Sequence, residues 1–275
     1  MASEILDVLL EQRASGEPHA LATVIETVGS CSAKTGAKAV IDRHGRVTSG
    51  WVGGGCAEAT CCRSALDAIA DGVARVVEID MEDEVLGVGM PCGGRMRVYV
   101  EPILPKPTLW LLGHGRVAEV LCALGDLMGL RVTVIDPEAT RERYAEAAAL
   151  ITDDLEYTRL EPGADDFVVV ATQHKGDHES MTRTLHSSAR YIALVASRKR
   201  ARLVLDFLRA EGFAESDLAR VHAPAGLDLG ARTPEEIALS IASEIVLVRH
   251  AASGRALRDK LADERNARPA IKSVS

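Results

Sequence analysis

The sequence lacks an excess of basic residues, and it lacks long apolar runs. Its 275 residues include 32 Lys and Arg against 40 Asp and Glu, which gives a formal net charge of −8 at pH 7. Nucleic acids and anionic membranes bind clustered cations, so this balance argues against both as partners. The longest apolar stretches, at residues 191–196 and 237–248, are too short or too interrupted to cross a bilayer. Acidic residues also punctuate the first predicted helix, where a secretory signal would be apolar. We therefore expect a cytoplasmic protein that binds a small molecule or another protein, without nucleic acid partners or membrane insertion.

The sequence also lacks the C-x-x-C pairs that are typical of zinc sites and redox motifs. Five of its six cysteines lie before residue 93, and no export signal accompanies them, so we expect reduced thiols rather than disulfides. Cys61 and Cys62 fall in the middle of a predicted helix, where we expect them in the core. The clustering of the thiols indicates that the N-terminal half carries chemistry.

Three prolines within six residues divide the chain. Because proline continues neither a strand ladder nor a helix, Pro102, Pro105 and Pro107 predict an interdomain linker. Residues 105–252 are predicted to form a second domain, and residues 253–275 a charged, disordered tail. Residues 1–104 are predicted to form an α+β domain, with helices at 3–16 and 56–70 and strands at 19–28, 37–41, 46–51, 73–79 and 95–101.

Strands alternate with helices in the second domain. The predicted strands, which helices separate, are at 109–112, 131–135, 167–171 and 191–196, and two further helices follow at 199–211 and 234–251. Such alternation implies parallel strands that are joined by right-handed crossovers. The predicted fold class is therefore α/β: a C-terminal Rossmann-like parallel sheet with helices on both faces, preceded by the N-terminal α+β domain.

The first strand of this domain leads into Gly113-His114-Gly115-Arg116-Val117-Ala118. In a Rossmann domain such a turn brings backbone N–H groups and a helix N-terminus to a phosphate, and Ala118 is small enough to replace the third glycine. Asp136 ends the next strand, where a carboxylate accepts both ribose hydroxyls and repels a 2′-phosphate. The alternative for Asp136 is a cap on a helix that begins near Glu138. We predict nucleotide binding by Gly113, Gly115, Arg116 and Asp136.

Ligands of open parallel sheets lie beyond the carboxyl ends of the strands. Candidate segments follow further strands here, in Thr172-Gln173-His174, in Ser197-Arg198-Lys199 and at residues 223–228. Ser197 and Arg198 are predicted to contact the ligand, and Arg198 could pair with a phosphate or a carboxylate. The alternative is a surface arginine that begins a helix. His174 and His178 could be ligands or acids, or solvated loop residues.

Two glycine- and cysteine-containing turns mark the first domain, Gly53-Gly54-Gly55-Cys56-Ala57-Glu58 and Pro91-Cys92-Gly93-Gly94. Successive glycines permit the close approach of a ligand or of another backbone. Cys56 is predicted at a helix N-terminus, where the dipole favours the thiolate, and a soft sulfur can contact a metal. Lys34 could meet a phosphate. The alternative is that Cys56 and Cys92 are small buried hydrophobic residues and that Lys34 is simply hydrated.

These motifs resemble those of the XdhC/CoxI-type accessory proteins of bacterial molybdenum hydroxylases, which are associated with xanthine dehydrogenase and aerobic carbon monoxide dehydrogenase. The resemblance rests on both glycine–cysteine turns, on the loop from Gly113, on VASRKR at residues 195–200 and, most specifically, on APAGLDLGARTPEEIA at residues 223–238. There are two departures. Ala33 and Lys34 stand where many relatives have proline and arginine, and lysine keeps the charge but loses the bidentate fork. Arg116 stands where many relatives have histidine.

The resemblance implies a cofactor-insertion chaperone rather than a catalyst, and we assign no catalytic residue. Such a protein binds the molybdenum cofactor (molybdopterin), protects it while a terminal sulfur is installed, and helps insert it into an apo-molybdenum hydroxylase. A cysteine desulfurase or sulfurtransferase is a further expected partner. The cytosine dinucleotide form of the cofactor would place its pyrophosphate and ribose in the Rossmann-like domain. In the first domain the expected cofactor-binding residues are Lys34, Gly53, Gly54, Gly55, Cys56, Glu58, Cys92 and Gly93, with Cys56 or Cys92 as soft contacts to molybdenum.

Two other functions fit the residues. The Rossmann loop and Asp136 taken alone suggest an NAD-dependent oxidoreductase with NAD(H) as its cofactor. Against this alternative, no proton-relay pair follows the Rossmann core, where many dehydrogenases carry theirs. The third function is that of a docking protein with an empty nucleotide pocket. A homodimer is a further expectation, for which the sequence gives no direct signal.

Overall fold

The computed structural model describes residues 2–80, 94–172 and 176–259. It divides into two compact units, Met1–Lys106 and Pro107–Ser275. Across the described residues, no helix combines the length and the apolar character that a membrane span requires.

The first unit is an antiparallel sheet with a helix on each face. Its elements are α1 (Ala2–Ser15), β1 (His19–Gly29), β2 (Lys38–Asp42), β3 (Val47–Gly50), α2 (Cys56–Asp71), β4 (Arg75–Asp80) and β5 (Gly94–Ile103). The strand order is β3-β2-β1-β5-β4. Because side chains alternate along a strand, Ala20 and Ala22 pack with α2, whereas Leu21 between them packs with Ile5 of α1. The predicted α+β class of this half is confirmed.

Pro102 lies within a strand, so its predicted place in a linker is wrong. β5 continues to Ile103, and Pro102 pairs with Ala20 of β1. On its other side, the pairing of β5 with β4 ends at Val100. Pro102 therefore lies where β5 has a neighbouring strand on one side, and a proline without an N–H donor is tolerated at such an edge.

The second unit is a six-stranded parallel sheet. Its elements are β6 (Thr108–Gly113), α3 (Arg116–Leu127), β7 (Arg131–Ile135), β8 (Ala149–Ile151), β9 (Phe167–Ala171), α4 (Asp177–Leu185), β10 (Tyr191–Leu194), α5 (Arg198–Ala210), α6 (Glu215–Leu218), β11 (Val221–His222) and α7 (Pro234–Arg249). The strand order is β11-β10-β9-β6-β7-β8, which is 6-5-4-1-2-3 when these strands are counted along the chain. This is the order of a Rossmann domain, and its direction reverses between β6 and β9.

Helices cover both faces of this sheet, as predicted. Phe167 and Val169 of β9 face the core that α3 and α7 complete, whereas Val168 and Val170 face the core that α4 and α5 complete. All four side chains are fully buried. The strands of a sheet that is covered on both faces read as continuous apolar runs, which is why β9 shows no polar alternation.

The helix that we predict after β7 is absent, and residues 137–148 form turns instead. Ala139, Tyr144 and Ala147 are the buried residues of this segment, and its backbone hydrogen bonds close separate turns, such as those from the N–H of Ala139 to Asp136 and from the N–H of Ala147 to Tyr144. The Asp136 side chain accepts the N–H of Glu138, which closes a turn where the helix would begin. The short elements β8, α6 and β11 are also missing from the prediction, because each is too short to show a period.

Candidate functional site

The predicted phosphate loop, residues 113–118, begins where the strand order of the second unit reverses. Gly113 pairs with Ala171 of β9 and has a φ of 103°. A Cβ at this position would lie 2.5 Å from the Ala171 carbonyl oxygen, so only glycine fits. Gly115, with a φ of 106°, is the N-cap residue of α3 and has no side chain that could cap the first N–H groups. The loop therefore presents a helix N-terminus at the position where Rossmann domains hold a phosphate.

Asp136 follows β7 and is joined to this loop. Its Oδ2 lies 3.0 Å from Nδ1 of His114, and its Oδ1 accepts the N–H of Glu138 at 2.8 Å. Because an ionised carboxylate can only accept, Nδ1 of His114 is the donor. The structure thus brings two of the predicted motifs together. A helix cap is not the role of Asp136, since no helix begins near Glu138.

Arg116 is held by acidic side chains. Its Nε donates to Glu235 at 2.7 Å, and its Nη1 lies 3.4 Å from Glu119. Glu119 in turn accepts from Nε of Arg143 at 2.7 Å. The hydrogen bond to Arg116 lowers the pKa of Glu235 below its usual value. We call Arg116, Glu119, Arg143 and Glu235 the Arg116 cluster; it joins α3, the turns after β7 and the start of α7.

Ser197 and Arg198 lie at the start of α5. Ser197 caps the helix, since its side chain accepts the N–H of Arg200, and Arg198 is exposed at the first position. The arginine with a buried partner is Arg200, whose Nε donates to Asp177 at 2.8 Å. Asp177 also bonds to the hydroxyl of Thr172, at the carboxyl end of β9. The sequence prediction missed Asp177 and Arg200; Gln173 and His174 lie outside the described residues, and His178 stacks on Phe207.

The string at residues 223–238 leads from β11 into α7 past the carboxyl end of β10. The N–H of Ala225 bonds to the carbonyl of Leu194, the last residue of β10. Gly226 has a φ of 98°, and a Cβ there would lie 2.3 Å from Oγ of Ser240. Thr233 and Glu236 then form a capping box at the start of α7. Gly226, Thr233 and Glu236 of this string therefore have a structural reason for their identity.

Glu244 of α7 accepts hydrogen bonds that hold the segment between β11 and α7 in place. Its carboxylate accepts the hydroxyl of Tyr191 at 2.6 Å and the N–H of Gly226 at 2.8 Å, and it lies 2.9 Å from Nδ1 of His222. Although burial alone would raise the pKa of Glu244, these hydrogen bonds hold it below its usual value. We call Tyr191, His222, Gly226 and Glu244 the Glu244 network.

In the first unit, the glycine run precedes α2. Gly53 is buried, with a φ of 113°, and a Cβ there would lie 3.1 Å from Cβ of Ala57 and 3.2 Å from Oγ of Ser32. Gly54 and Gly55 are exposed, and Gly55 is the N-cap residue of α2. Cys56 is the exposed first residue of α2, and Glu58 is the acidic residue of its first turn. The prediction that Cys56 begins a helix is confirmed, and its alternative as a buried hydrophobic residue is wrong.

The loop at residues 28–33, in which we include Val28 and Gly29 at the end of β1, contacts both glycine-rich segments, and Gly94 is the strand partner of Gly29. A Cβ on Gly94 would lie 2.7 Å from the Val28 carbonyl oxygen and 2.8 Å from Sγ of Cys31. Sγ of Cys31 also donates to the carbonyl of Arg95 at 3.2 Å. Since Ser32 of the same loop lies against Gly53, the structure brings three glycine-containing segments together within the first unit. Lys34 is exposed just beyond this loop, whereas Cys92 and Gly93 lie outside the described residues.

The remaining described cysteines are structural. Cys61 is fully buried in the core between α2 and the sheet, and burial raises its pKa to about 11. Burial likewise raises the pKa of Cys122 to about 12 and raises that of the half-buried Cys62. Such thiols stay protonated and unreactive at neutral pH. The predicted core position is confirmed for Cys61.

Two family profiles match this sequence. The profile of the XdhC Rossmann domain matches residues 109–245, and the profile of the XdhC and CoxI family matches residues 12–80. The range matched by the XdhC Rossmann profile includes the phosphate loop, and the range matched by the XdhC and CoxI profile includes the glycine run before α2. The chain belongs to the XdhC and CoxI family. The resemblance on which the sequence prediction relied is therefore confirmed.

Curated relatives of this XdhC-type chain carry different descriptions. YqeB of Escherichia coli (strain K12), an uncharacterized protein, is 30% identical over 249 residues, which are 86% of this chain and 44% of YqeB. A probable xanthine dehydrogenase component of Bacillus subtilis (strain 168) is 30% identical over 158 residues, 55% of this chain and 46% of that protein. This chain thus spans less than half the length of both relatives. The molybdenum cofactor insertion chaperone PaoD of E. coli is 22% identical over 280 residues, 89% of this chain and 88% of PaoD.

A crystal structure described as a xanthine dehydrogenase from Bacillus halodurans is also similar. It is 22% identical in sequence, with a TM-score of 0.48, over 90% of this chain and 96% of that chain.

Sequence reasoning missed three side-chain groups of the Rossmann unit: the Arg116 cluster, the Asp177–Arg200 pair and the Glu244 network. Their members lie far apart in the chain; Arg116 and Glu235, for example, are separated by 119 positions. No local pattern signals such pairs. One hint was available, since Glu235 belongs to the string at residues 223–238 and has no part in the capping box.

Proposed function

We propose that this protein binds the molybdenum cofactor, protects it while a terminal sulfur is installed, and helps insert it into an apo-molybdenum hydroxylase. Family membership supports a role in molybdenum cofactor maturation. The similarity to PaoD, a molybdenum cofactor insertion chaperone, runs through nearly the full length of both chains and supports the same role. A xanthine or carbon monoxide dehydrogenase is the proposed client, and a cysteine desulfurase or sulfurtransferase the proposed sulfur donor.

The observation that carries this proposal is the convergence in the first unit. The loop at residues 28–33 meets Gly53 and Gly94, and the exposed thiol of Cys56 begins the helix that follows the glycine run. Glycines leave backbone N–H groups open to a ligand, and the exposed Lys34 adds a cation nearby in the chain. Molybdopterin carries a phosphate, a dithiolene and a metal. Open N–H groups, a cation and a soft sulfur are the donors that suit these three parts.

We assign the nucleotide part of a dinucleotide cofactor to the Rossmann unit. Gly113 and Gly115 would hold the pyrophosphate at the start of α3, and Asp136 would accept from the ribose. Ser197 and Arg198, at the start of α5, lie at the same carboxyl edge of the sheet. The cytosine dinucleotide form of molybdopterin and NAD(H) share this chemistry, so the ligand must be identified by experiment.

The test measures which cofactor is bound to the purified protein and how much of it each variant retains. Oxidation of a cofactor-loaded sample should release fluorescent molybdopterin products, and Cys56→Ala should lower the amount retained without lowering the unfolding temperature. Cys62→Ala is the matched control, because it removes a thiol from the same helix away from the glycine run. If Cys56→Ala retains as much molybdopterin as the wild type, the Cys56 thiol does not contribute to cofactor binding. NAD(H) turnover without molybdopterin would favour the oxidoreductase, and neither ligand would favour a docking protein.

A further inference from the structure

Glu235 is the one acidic residue of the string at residues 223–238 that reaches the phosphate loop. Within that string, Thr233 and Glu236 cap α7, and the N–H of Gly226 bonds to Glu244. Glu235 is not a member of the capping box, although its carboxylate also interacts with the Thr233 side chain. Its Oε1 lies 2.7 Å from Nε of Arg116, the first residue of α3.

The contact places a carboxylate where a ligand phosphate would seek a cation. Arg116 stands at the N-terminus of a helix of 12 residues, directly after the two loop glycines. Two of its nitrogen atoms already face the carboxylates of Glu235 and Glu119. The Arg116 cluster holds two cations and two anions, so its formal charges cancel. An incoming diphosphate would therefore meet little net attraction and two like charges while this contact persists.

We propose that Glu235 competes with a ligand diphosphate for Arg116 and thereby sets the affinity of the phosphate loop. This inference rests on the proposed function of the Rossmann unit as a diphosphate site. Binding exchanges the Arg116–Glu235 contact for a contact between Arg116 and a phosphate oxygen. The side chains of Arg116 and Glu235 are 60% and 51% exposed, and such an exposed pair separates at small cost. The ligand phosphate thus displaces the Glu235 carboxylate from Arg116.

A positioning role for Glu235 predicts the opposite change in ligand affinity when Glu235 is replaced. If Glu235 instead positioned Arg116 for the ligand, its removal would weaken binding, because a fixed guanidinium loses less freedom on binding than a mobile one. A purely structural role in the first turn of α7 would change stability and leave the affinity unaltered. The direction of the change in affinity therefore separates the three roles.

The experiment is calorimetric titration of the full chain with two probes, cytidine 5′-diphosphate and inorganic pyrophosphate. Glu235→Gln should bind both probes about two- to five-fold more tightly than the wild type, the range that corresponds to an exposed ion pair. Arg116→Gln should bind them more weakly, and adding Glu235→Gln to it should bring no gain, since the competition needs the guanidinium.

The matched control is Glu215→Gln. Glu215 also lies in the first turn of a helix and accepts from an exposed arginine, Arg209, at 2.6 Å. Its removal changes the net charge by the same amount at a contact outside the Arg116 cluster. It should leave the affinity for both probes unchanged, and unfolding temperatures of all variants report whether the fold is intact.

The outcomes separate this inference from the proposed function. Wild-type binding that Gly115→Trp abolishes, with equal or weaker binding in Glu235→Gln, would refute competition by Glu235 and keep the diphosphate site. Failure of the wild type and of Glu235→Gln to bind either probe would refute both. Tighter binding in Glu235→Gln but also in Glu215→Gln would reduce the effect to net charge and overturn the inference. Tighter binding in Glu235→Gln but not in Glu215→Gln would support competition by Glu235.

Discussion

Replacing Glu244 by glutamine should destabilise the Rossmann unit strongly. The Glu244 side chain is 13% exposed, and three donors, on Tyr191, His222 and Gly226, meet its carboxylate. Hydrogen bonds to a charged acceptor contribute about 1.5–3 kcal/mol each, and neutral ones about 1 kcal/mol. Glutamine keeps one acceptor oxygen and turns an N–H group toward at least one donor. One charged hydrogen bond is therefore lost and the others weaken, so we expect a loss of about 2–4 kcal/mol.

The loss should depend on pH, because the hydrogen bonds of the Glu244 network hold the pKa of Glu244 below its usual value of 4.5. A carboxyl with a lower pKa in the folded than in the unfolded state binds a proton more readily when unfolded. Its contribution to stability is therefore complete above pH 4.5 and disappears as the pH falls through the folded value. The difference between wild type and Glu244→Gln should be full at pH 7 and should shrink in more acidic solution.

Urea unfolding at pH 7 and below pH 4.5 measures this difference, and hydrogen exchange of peptides from β10 and α7 assigns it to the second unit. Glu235→Gln is the control, because it removes a charge from the same helix at an exposed position. It should leave the exchange of β10 nearly unchanged. If Glu244→Gln unfolds at the wild-type urea concentration at pH 7, or if its deficit is equal at both pH values, the account of the Glu244 network is wrong.

Two further predictions concern the first unit and the thiols. Gly94→Ala places a Cβ 2.7 Å from the Val28 carbonyl oxygen and should lower the free energy of unfolding by about 1–3 kcal/mol. Gly54→Ala is the control and should leave the free energy of unfolding unchanged, because a Cβ there meets nothing within 4 Å. Equal urea midpoints for the two variants would show that the loop at residues 28–33 does not lie against Gly94. Alkylation at pH 8 followed by mass spectrometry should label the exposed Cys56 within minutes while Cys61 and Cys122, with pKa values raised by burial to about 11 and about 12, react only after unfolding. Labelling of Cys61 at the rate of Cys56 would contradict the packing of α2.

The phosphate loop was predictable because its requirements are local. Gly113 must be glycine since the backbone of β9 approaches it, and Gly115 must be glycine since its φ is positive. Both demands fall within a few residues of a strand end, where a sequence motif can record them. The start of α2 at Cys56 was predictable for the same reason, because the glycine run ends where the helical period begins.

The segment after β7 was not predictable from local patterns. Asp136 is shared between His114, 22 residues earlier in the chain, and the N–H of Glu138. The fully buried Tyr144 anchors turns where propensity favours a helix. The Glu244 network escaped for a related reason, since Tyr191 and Glu244 are 53 positions apart. Contacts that are distant in the chain and involve one polar group each leave no period to detect.

The contacts of Asp136 sharpen what its carboxylate can do in a nucleotide site. Each carboxylate oxygen has two lone pairs, so the hydrogen bonds from His114 and Glu138 use one on each oxygen and leave one on each for a ligand. Two fixed donors also hold the carboxylate plane in place, so little freedom remains to be lost when a ribose diol binds. A 2′-phosphate would meet this buried anion, with the carboxylate of Glu138 only 3.8 Å from Nε2 of His114. The preference for an unmodified ribose stays a prediction, and it now depends on the placement of His114 and Glu138 as well as on Asp136.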